Sequence, residues 1–199
     1  MQGEGGQAGR PAIFCRFSGC NLWTGREEDR HKAVCRFCDT DFVGMDGVNG
    51  GRYEAEALTT AADRLWLGAA GHPKLVVFTG GEPCLQLDEP VIAAFRTAGY
   101  EMAVETNGSL QAPEGLDWIC VSPKAGAPLV QTTGQELKLV FPQPGIDPQA
   151  LEGLGFERFY LQPMDGPDQA ANTRAAIDYC LSRPLWRLSV QTHKYLGVP

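Results

Sequence analysis

Three cysteines carry the most informative spacing in the chain. Fourteen residues separate Cys20 from Cys35, and Cys35 and Cys38 form a C-x2-C pair. Such a pair brings two sulfurs within reach of one metal centre, and the segment that carries Cys20 must fold back to supply a third. Three thiolates are enough to hold three irons of a [4Fe–4S] cluster, which leaves the fourth iron free to bind a small molecule. Asp39 and Thr40 follow directly and add oxygen ligands beside the thiolates.

A structural zinc site is the alternative for the same three cysteines. Tetrahedral zinc takes four N or S ligands, and a zinc ribbon would offer a second C-x2-C or C-x2-H pair downstream. The sequence contains no such pair, because Cys84, Cys120 and Cys180 are isolated. His31, which lies between the first two cysteines of the triplet, could complete a Cys3His set. Zinc therefore stays open on spacing alone.

A second motif follows a short β-rich run at 74–78, which ends in the sequence T-G-G-E-P at 79–83. Two glycines directly after a buried strand let the backbone turn sharply and approach a ligand closely. Glu82 then places a carboxylate at the carboxyl end of a strand, where parallel α/β folds have their sites. Taken alone, the motif is explained equally well by an ordinary turn from a strand into a helix.

Taken with the cysteine loop, this motif resembles the radical S-adenosylmethionine (radical SAM) superfamily, in which a G-G-E-type motif binds the amino group of the methionine part of SAM. The usual cysteine spacing there is C-x3-C-x2-C, and the longer first gap points to a narrower match. The further motifs are Q-G-E-G at 2–5, R-F at 16–17, G-C-N-L-W at 19–23, E-T-N-G at 105–108, S-P-K at 122–124, E-L-K at 136–138, Q-P-M-D at 162–165 and Q-T-H-K at 191–194. In order and spacing they are similar to the 7-carboxy-7-deazaguanine synthase family over nearly the whole chain, and several members have the long gap.

The resemblance implies a carbon–nitrogen lyase that converts 6-carboxy-5,6,7,8-tetrahydropterin into 7-carboxy-7-deazaguanine with loss of ammonia, on the pathway to 7-deazapurines such as queuosine. It also implies a [4Fe–4S] cluster, SAM and Mg²⁺ as cofactors. Cleavage of SAM supplies a 5′-deoxyadenosyl radical, so no side chain is expected to act as the catalytic group. The family further implies a small-molecule pterin substrate, a flavodoxin-like electron donor and a homodimer.

The resemblance also assigns roles by position within the motifs. The cluster ligands are Cys20, Cys35 and Cys38, and the magnesium ligand is Thr40. The residues expected to contact SAM are Phe37, Gly81, Ser122, Pro123, Lys124, Gln162, Pro163, Met164 and Asp165. The residues expected to contact the substrate are Gln2, Gly3, Glu4, Arg16, Thr79, His193 and Pro199, the last through its terminal carboxylate.

The residue types suit these roles, although simpler explanations exist. Arg16 can clamp a carboxylate through two parallel hydrogen bonds, and Glu4 can accept hydrogen bonds from the guanidine-like edge of a pterin. Without the resemblance, a surface ion pair would explain Arg16 as well, and His193 would be interpreted as a structural histidine. The four cysteines at positions 15, 84, 120 and 180 lie in or beside apolar runs, and we expect them to be buried thiols of the core.

Composition and charge set outer limits on the function. The 199 residues suffice for one domain with a substantial core. A net charge of −7 argues against direct binding of nucleic acid, which requires a basic surface. No apolar stretch approaches the length of a membrane span, and no basic segment precedes an apolar one, so neither a transmembrane helix nor a signal peptide is expected. Seven cysteines, an odd number, suit reduced thiols, and we expect a cytoplasmic protein.

The periodicity of apolar residues predicts more strands than helices. Strands are predicted at 12–17, 75–79, 101–105, 118–121, 137–141, 159–161 and 187–191, and helices at 53–67, 89–98 and 169–182. Gly99 is expected to close the second helix as its carboxyl-terminal cap. Several connections are too short for a crossover helix. This pattern predicts an α/β fold, an abridged and open (β/α) barrel, which is the radical SAM type. We expect a single domain over 1–199 with a cluster loop at 20–38. Family members usually carry a strand directly before the Q-G-E-G motif, so we expect either a misplaced start or a first strand missing before residue 1.

Two other classes of function stay open on the sequence. A radical SAM activase would share the cluster and the SAM site but would act on a glycine of a partner protein, without pterin contacts. A binding module stabilised by zinc would use the three cysteines and His31. The mixed-charge run at 26–32 inside the cysteine loop is expected to be a solvated surface, where an electron donor could dock.

Overall fold

A computed structural model describes residues 1–69 and 71–197. Seven parallel strands form one sheet whose order in space follows their order in the chain. The strands are β1 (Ile13–Phe17), β2 (Lys74–Gly80), β3 (Tyr100–Thr106), β4 (Trp118–Val121), β5 (Thr133–Phe141), β6 (Gly155–Pro163) and β7 (Trp186–Leu188). The helices are α1 (Ala55–Leu65), α2 (Glu89–Thr97), α3 (Gln169–Ser182) and α4 (Thr192–Leu196). Strands β1 and β7 are the two edges, so the sheet is an open barrel.

Few of the connections between strands contain an α-helix. Helix α1 joins β1 to β2, α2 joins β2 to β3, and α3 joins β6 to β7. The chain passes from β3 to β4 and from β4 to β5 through irregular segments, and from β5 to β6 through a short 3-10 helix at Pro148–Leu151. The predicted abridged, open (β/α) barrel is confirmed.

Helix α2 shows how local sequence sets the bounds of an element. The side chain of Asp88 accepts a hydrogen bond from the Val91 N–H and caps the first turn. The helix ends before Gly99, which has a φ of +79° and whose N–H donates to the carbonyl of Arg96. This left-handed backbone conformation favours glycine, and the predicted cap at Gly99 is confirmed. Phe95 of this helix then packs edge-on against Phe78 and Tyr100 of the sheet, with ring centroids 5.2 and 5.1 Å apart.

Strand β5 separates an apolar outer face from a charged inner face. Leu137 and Leu139 are fully buried in the outer core, which also contains Trp186 of β7 and Ala176 of α3. Because side chains alternate along a strand, Glu136, Lys138 and Val140 lie on the opposite face, inside the barrel. Glu136 and Lys138 are only 2% and 3% exposed. The interior of the open barrel therefore holds buried charges.

The segment 2–10 lies along this inner face. The N–H of Gly6 donates to the Glu136 carboxylate at 2.9 Å, and the N–H of Gly5 donates to the Ser189 hydroxyl at 2.9 Å. Arg10 closes the segment through two hydrogen bonds to Glu101, 2.8 and 2.7 Å long. The amino-terminal motif is thus fixed against β3, β5 and the chain after β7.

The end of the last strand differs from the prediction of 187–191. Strand β7 stops at Leu188, although the Ser189 N–H still donates to the Leu161 carbonyl. The chain then leaves the sheet, because the N–H and the hydroxyl of Thr192 both bind the carbonyl of Gly3. The strand was predicted too long because the alternation of apolar residues continues past Leu188, where these contacts turn the backbone away from the sheet. Across residues 1–69 and 71–197, no helix has the length and apolar character needed to cross a membrane.

Candidate functional site

A cavity of about 440 Å³ opens at the carboxyl ends of the strands. Its walls come from the segment 2–4, the cysteine loop, the ends of β2, β3 and β6, the turn after β4, and the chain that includes α4. The predicted site residues that line it are Gln2, Gly3, Glu4, Arg16, Cys20, Cys35, Phe37, Cys38, Thr40, Thr79, Gly81, Ser122, Lys124, Gln162, Pro163, Met164, Asp165 and His193. Parallel α/β folds place their sites at this end of the sheet.

Two predicted site residues are not in that wall. Pro123 is buried behind it, and its carbonyl accepts a hydrogen bond from the Gln143 side chain at 3.3 Å. Pro199 lies outside the described residues, so the expectation for its carboxylate stays a prediction.

The cysteine loop is held by a small core of its own. Trp23 and Phe42 pack edge-on with ring centroids 5.6 Å apart, and Cys20 and Cys38 pack against the same cluster. The Arg30 guanidinium lies over the Trp23 ring at 4.0 Å and donates to the Cys38 carbonyl at 3.2 Å. The loop is therefore preorganised by contacts between its own residues.

The environment of the three thiols favours at least one thiolate. A hydrogen bond from Cys35 lowers the pKa of Cys38 to about 6, and the same interaction, with burial, raises the pKa of Cys35. Burial raises the pKa of Cys20. Lys124 is close enough to lower the pKa values of Cys35 and Cys38 by its charge. A positive side chain facing clustered thiols is the electrostatic setting in which thiolate ligands form.

The cavity wall contains the three cysteines but not His31, the possible fourth zinc ligand. Across residues 1–69 and 71–197, no group of three or more His, Cys, Asp and Glu side chains converges on one metal ion. A cluster does not need such convergence, since each thiolate binds a different iron. His31 is exposed on the 3-10 helix Glu27–Lys32.

The G-G-E-P corner approaches the cysteine loop closely. The Gly81 N–H donates to the Phe17 carbonyl and the Glu82 N–H donates to the Gly19 carbonyl, both at 2.9 Å. A Cβ on Gly81 would lie 1.9 Å from the Gly19 oxygen, so only glycine fits at this position. The absence of a side chain lets the end of β2 meet the backbone just before Cys20.

Glu82 does not face the cavity, although its position suggested that its carboxylate would. It is completely buried and accepts hydrogen bonds from the Thr106 hydroxyl at 2.7 Å, the Asn107 N–H at 2.8 Å and the Cys84 N–H at 2.9 Å. The carboxylate therefore fixes the turn after β2 to the turn after β3. Its contribution to the site is structural.

Buried charges form the inner wall of the cavity. The Lys138 ammonium contacts Glu4 at 2.6 Å and Glu105 at 3.0 Å. Gln2 donates to Glu105 at 2.7 Å, and Gln191 donates to Glu4 at 2.9 Å. Burial alone would raise the pKa of Glu4, but Lys138 and the hydrogen bonds outweigh it and lower the pKa to about 2. Glu4 is therefore an anion at neutral pH.

Glu105 and Lys138 lie in two of the motifs, but the sequence assigned neither of them a role in the site. The available signal was a charged side chain on the inner side of an otherwise apolar parallel strand. Such strands are usually apolar on both faces, so a charge within one requires a specific partner.

Arg16 and His193 line the cavity from different elements, β1 and α4. Arg16 is exposed on β1, with its guanidinium 5.5 Å from the Phe14 ring, and it forms no salt bridge with any described residue. His193 packs against the amino-terminal segment, since a Cβ on Gly3 would lie 2.3 Å from His193 Nδ1. A cation and an imidazole therefore face the cavity from different elements.

The other four cysteines lie away from the cavity. Cys120 is buried, and its thiol lies 3.5 Å from a Glu136 carboxylate oxygen. Cys15, Cys84 and Cys180 are half-buried and pack against the outer cores. Burial raises the pKa values of Cys15 and Cys84 to about 12, so neither is a thiolate at neutral pH.

An open parallel half-barrel, with three cysteines and a glycine-rich corner around one cavity, defines a protein of the radical SAM class. No family model matches the chain. It is 66% identical to the 7-carboxy-7-deazaguanine synthase of Caulobacter vibrioides, over 100% of this chain and 95% of the relative, and 59% identical to that of Bordetella pertussis, with the same coverage. A crystal structure of QueE from Escherichia coli superposes with a TM-score of 0.70 at 25% identity, covering 96% of this chain and 89% of that one. The chain belongs to the 7-carboxy-7-deazaguanine synthase family.

Proposed function

We propose that this chain converts 6-carboxy-5,6,7,8-tetrahydropterin into 7-carboxy-7-deazaguanine with loss of ammonia, in the biosynthesis of 7-deazapurines of the queuosine type. The observation that carries the proposal is the 66% identity to a 7-carboxy-7-deazaguanine synthase along the whole chain. The cavity supports it, since the motifs of the amino-terminal segment, the cysteine loop and the carboxyl-terminal segment all meet in its walls.

The proposed cofactors are a [4Fe–4S] cluster, held by Cys20, Cys35 and Cys38, and SAM. When bound, they would supply a 5′-deoxyadenosyl radical to the substrate. The half-buried Lys124 donates to the carbonyl and the hydroxyl of Ser122 at 2.6 and 2.7 Å, which holds a cation in the wall beside the cysteines. This cation suits the carboxylate of SAM. Further SAM contacts are proposed for Phe37, Gly81, Gln162, Pro163, Met164 and Asp165, whereas Pro123, which is buried behind the wall, would act by holding its neighbours Ser122 and Lys124.

The proposed substrate contacts follow from charge. The Arg16 guanidinium, which forms no salt bridge within residues 1–69 and 71–197, would bind the pterin carboxylate through parallel hydrogen bonds. Glu4, anionic and half-buried beside Lys138, would accept hydrogen bonds from the N–H groups of the guanidine-like edge. The side chains of Gln2 and Glu4 are fixed by neighbours, so this recognition surface exists before the substrate binds. Gly3, Thr79, His193 and Pro199 complete the proposed substrate set.

Magnesium is proposed at Thr40, which lines the cavity between Asp39 and Asp41. Mg²⁺ takes six oxygen ligands and keeps several waters, so one threonine oxygen binds it weakly without other ligands. The carboxylate of the substrate would supply a further oxygen. The metal would then bind together with the substrate.

Several finer proposals rest on the family resemblance. They are a single domain over 1–199, a homodimer, a flavodoxin-like electron donor and a cytoplasmic location. Neither the activase nor the zinc-stabilised module is favoured, since the curated relatives are named as 7-carboxy-7-deazaguanine synthases.

Substitution of single cysteines tests the cofactor assignment. After anaerobic reconstitution with iron and sulfide, Cys35→Ala should hold little iron and release no methionine from SAM under reducing conditions. The matched control is Cys180→Ala on α3, a half-buried thiol outside the cavity wall, which should keep the iron content of the parent. Equal iron content in the two variants would contradict the assignment.

A further inference from the structure

One ammonium group links two carboxylates that come from different elements at the cavity mouth. Lys194 of α4 contacts Asp39 at 2.8 Å and also binds Asp165. Asp39 follows the last cysteine of the triplet, and Asp165 lies just beyond the end of β6. All three residues line the cavity. The sequence separations, 155 and 29 residues, mean that only the fold brings these charges together.

The base from which Lys194 extends is rigid. The N–H and hydroxyl of Thr192 both donate to the Gly3 carbonyl at 2.9 Å. Gln191 donates to Glu4 at 2.9 Å, within the buried charge network of the inner wall. The first turn of α4 is therefore attached to the amino-terminal segment, and the lysine side chain extends from a fixed position.

Stability is a weak explanation for this arrangement. The side chains of Lys194, Asp39 and Asp165 are 34%, 50% and 38% exposed, and ion pairs this exposed contribute little to folding. Without the lysine, however, two carboxylates would face each other across the mouth with no cation between them. The contact therefore matters more for the shape and charge of the mouth than for the stability of the fold.

We propose that Lys194 is a positioning residue that orients the Asp165 carboxylate and holds the cysteine loop at a fixed distance from the end of β6, so that SAM binds between them. This inference rests on the proposed function, because it takes the cavity to be the SAM site. The contact with Lys194 fixes the direction of the Asp165 carboxylate, which would then accept hydrogen bonds from the hydroxyl groups of the SAM ribose.

The test is the affinity of the reconstituted protein for SAM without reductant, measured by equilibrium dialysis. Lys194→Met should raise the Kd by about fivefold, which corresponds to about 1 kcal/mol. Lys194→Arg should restore it to within about twofold, because a guanidinium can also bridge two carboxylates. The parent should lose affinity as salt rises, and the Met variant should lose less, since its bridge is already absent.

The matched control is Lys74→Met, which removes a 2.7 Å pair with Asp63 at the start of β2, outside the cavity wall. It should leave the Kd for SAM unchanged. A Lys194→Met variant that melts like the parent in the cluster-free state and binds SAM with the parent's affinity would overturn the inference. Failure of Arg to restore the affinity would also contradict it. If the reconstituted parent itself bound no SAM, the proposed function would fail instead.

Discussion

The buried carboxylate of Glu82 should be among the most sensitive points of the fold. Its three donors, the N–H groups of Cys84 and Asn107 and the hydroxyl of Thr106, all lie within 2.9 Å of its oxygens. In Glu82→Gln, one carboxylate oxygen becomes an NH₂ group, which cannot accept a hydrogen bond. At least one buried donor then loses its partner, while the shape of the side chain stays nearly the same.

The magnitude follows from counting these contacts. One unsatisfied buried donor costs about 1–3 kcal/mol. The two remaining hydrogen bonds are weaker because their acceptor is no longer charged, but a neutral amide is easier to bury than a carboxylate. The net cost of these two effects is about 1 kcal/mol. We expect Glu82→Gln to lower the free energy of unfolding by about 3 kcal/mol, and the midpoint of thermal unfolding by about 6–12 °C.

Urea unfolding of the cluster-free protein is the appropriate assay, because it separates the scaffold from the cofactor. The matched control is Glu114→Gln, at an exposed position, which should change the free energy of unfolding by less than about 0.5 kcal/mol. If Glu82→Gln unfolded within about 0.5 kcal/mol of the parent, the hydrogen bonds described for this carboxylate would not be the ones that hold the two turns together.

Two further predictions concern the inner wall and the metal. Burial raises the pKa of the Glu136 carboxyl in the folded protein above its ordinary value of 4.5. The same carboxyl loses its proton at a lower pH in the unfolded chain, so its ionisation lowers the stability of the fold as the pH rises. In urea unfolding from pH 4 to 8, Glu136→Gln should therefore gain stability relative to the parent as the pH rises, and a difference that falls or stays flat would exclude this explanation. Thr40→Ala should slow turnover and weaken its dependence on Mg²⁺ with the iron content intact, whereas an unchanged magnesium titration would remove Thr40 as a ligand.

The elements of the fold could be predicted because their signals are local. Seven apolar runs of strand length predicted the seven strands, and Gly99 marked the end of α2. Five of the seven strands, β2 to β6, cover their predicted ranges or extend beyond them, and β1 begins one residue later than predicted. The seventh was predicted too long, since the contact that ends the sheet there is made by Gly3, at the other end of the chain.

The site could be predicted only where motifs marked it. The direction of the Glu82 side chain depends on donors 24 and 25 residues away, and no pattern around residue 82 reveals them. The partners of Lys138 lie 134 and 33 residues away in sequence, so the network on the inner wall emerges only when the barrel forms. The contacts of Lys194 with Asp39 and Asp165 likewise join residues far apart in sequence and form only when the chain folds.

Turnover of the parent protein tests the central claim most directly. The reconstituted chain is incubated without oxygen with SAM, a reductant, Mg²⁺ and 6-carboxy-5,6,7,8-tetrahydropterin, and the products are identified by mass spectrometry. The account predicts 7-carboxy-7-deazaguanine with one ammonia released for each molecule formed. Cleavage of SAM with recovery of unchanged pterin, in a protein that holds a full cluster, would contradict it.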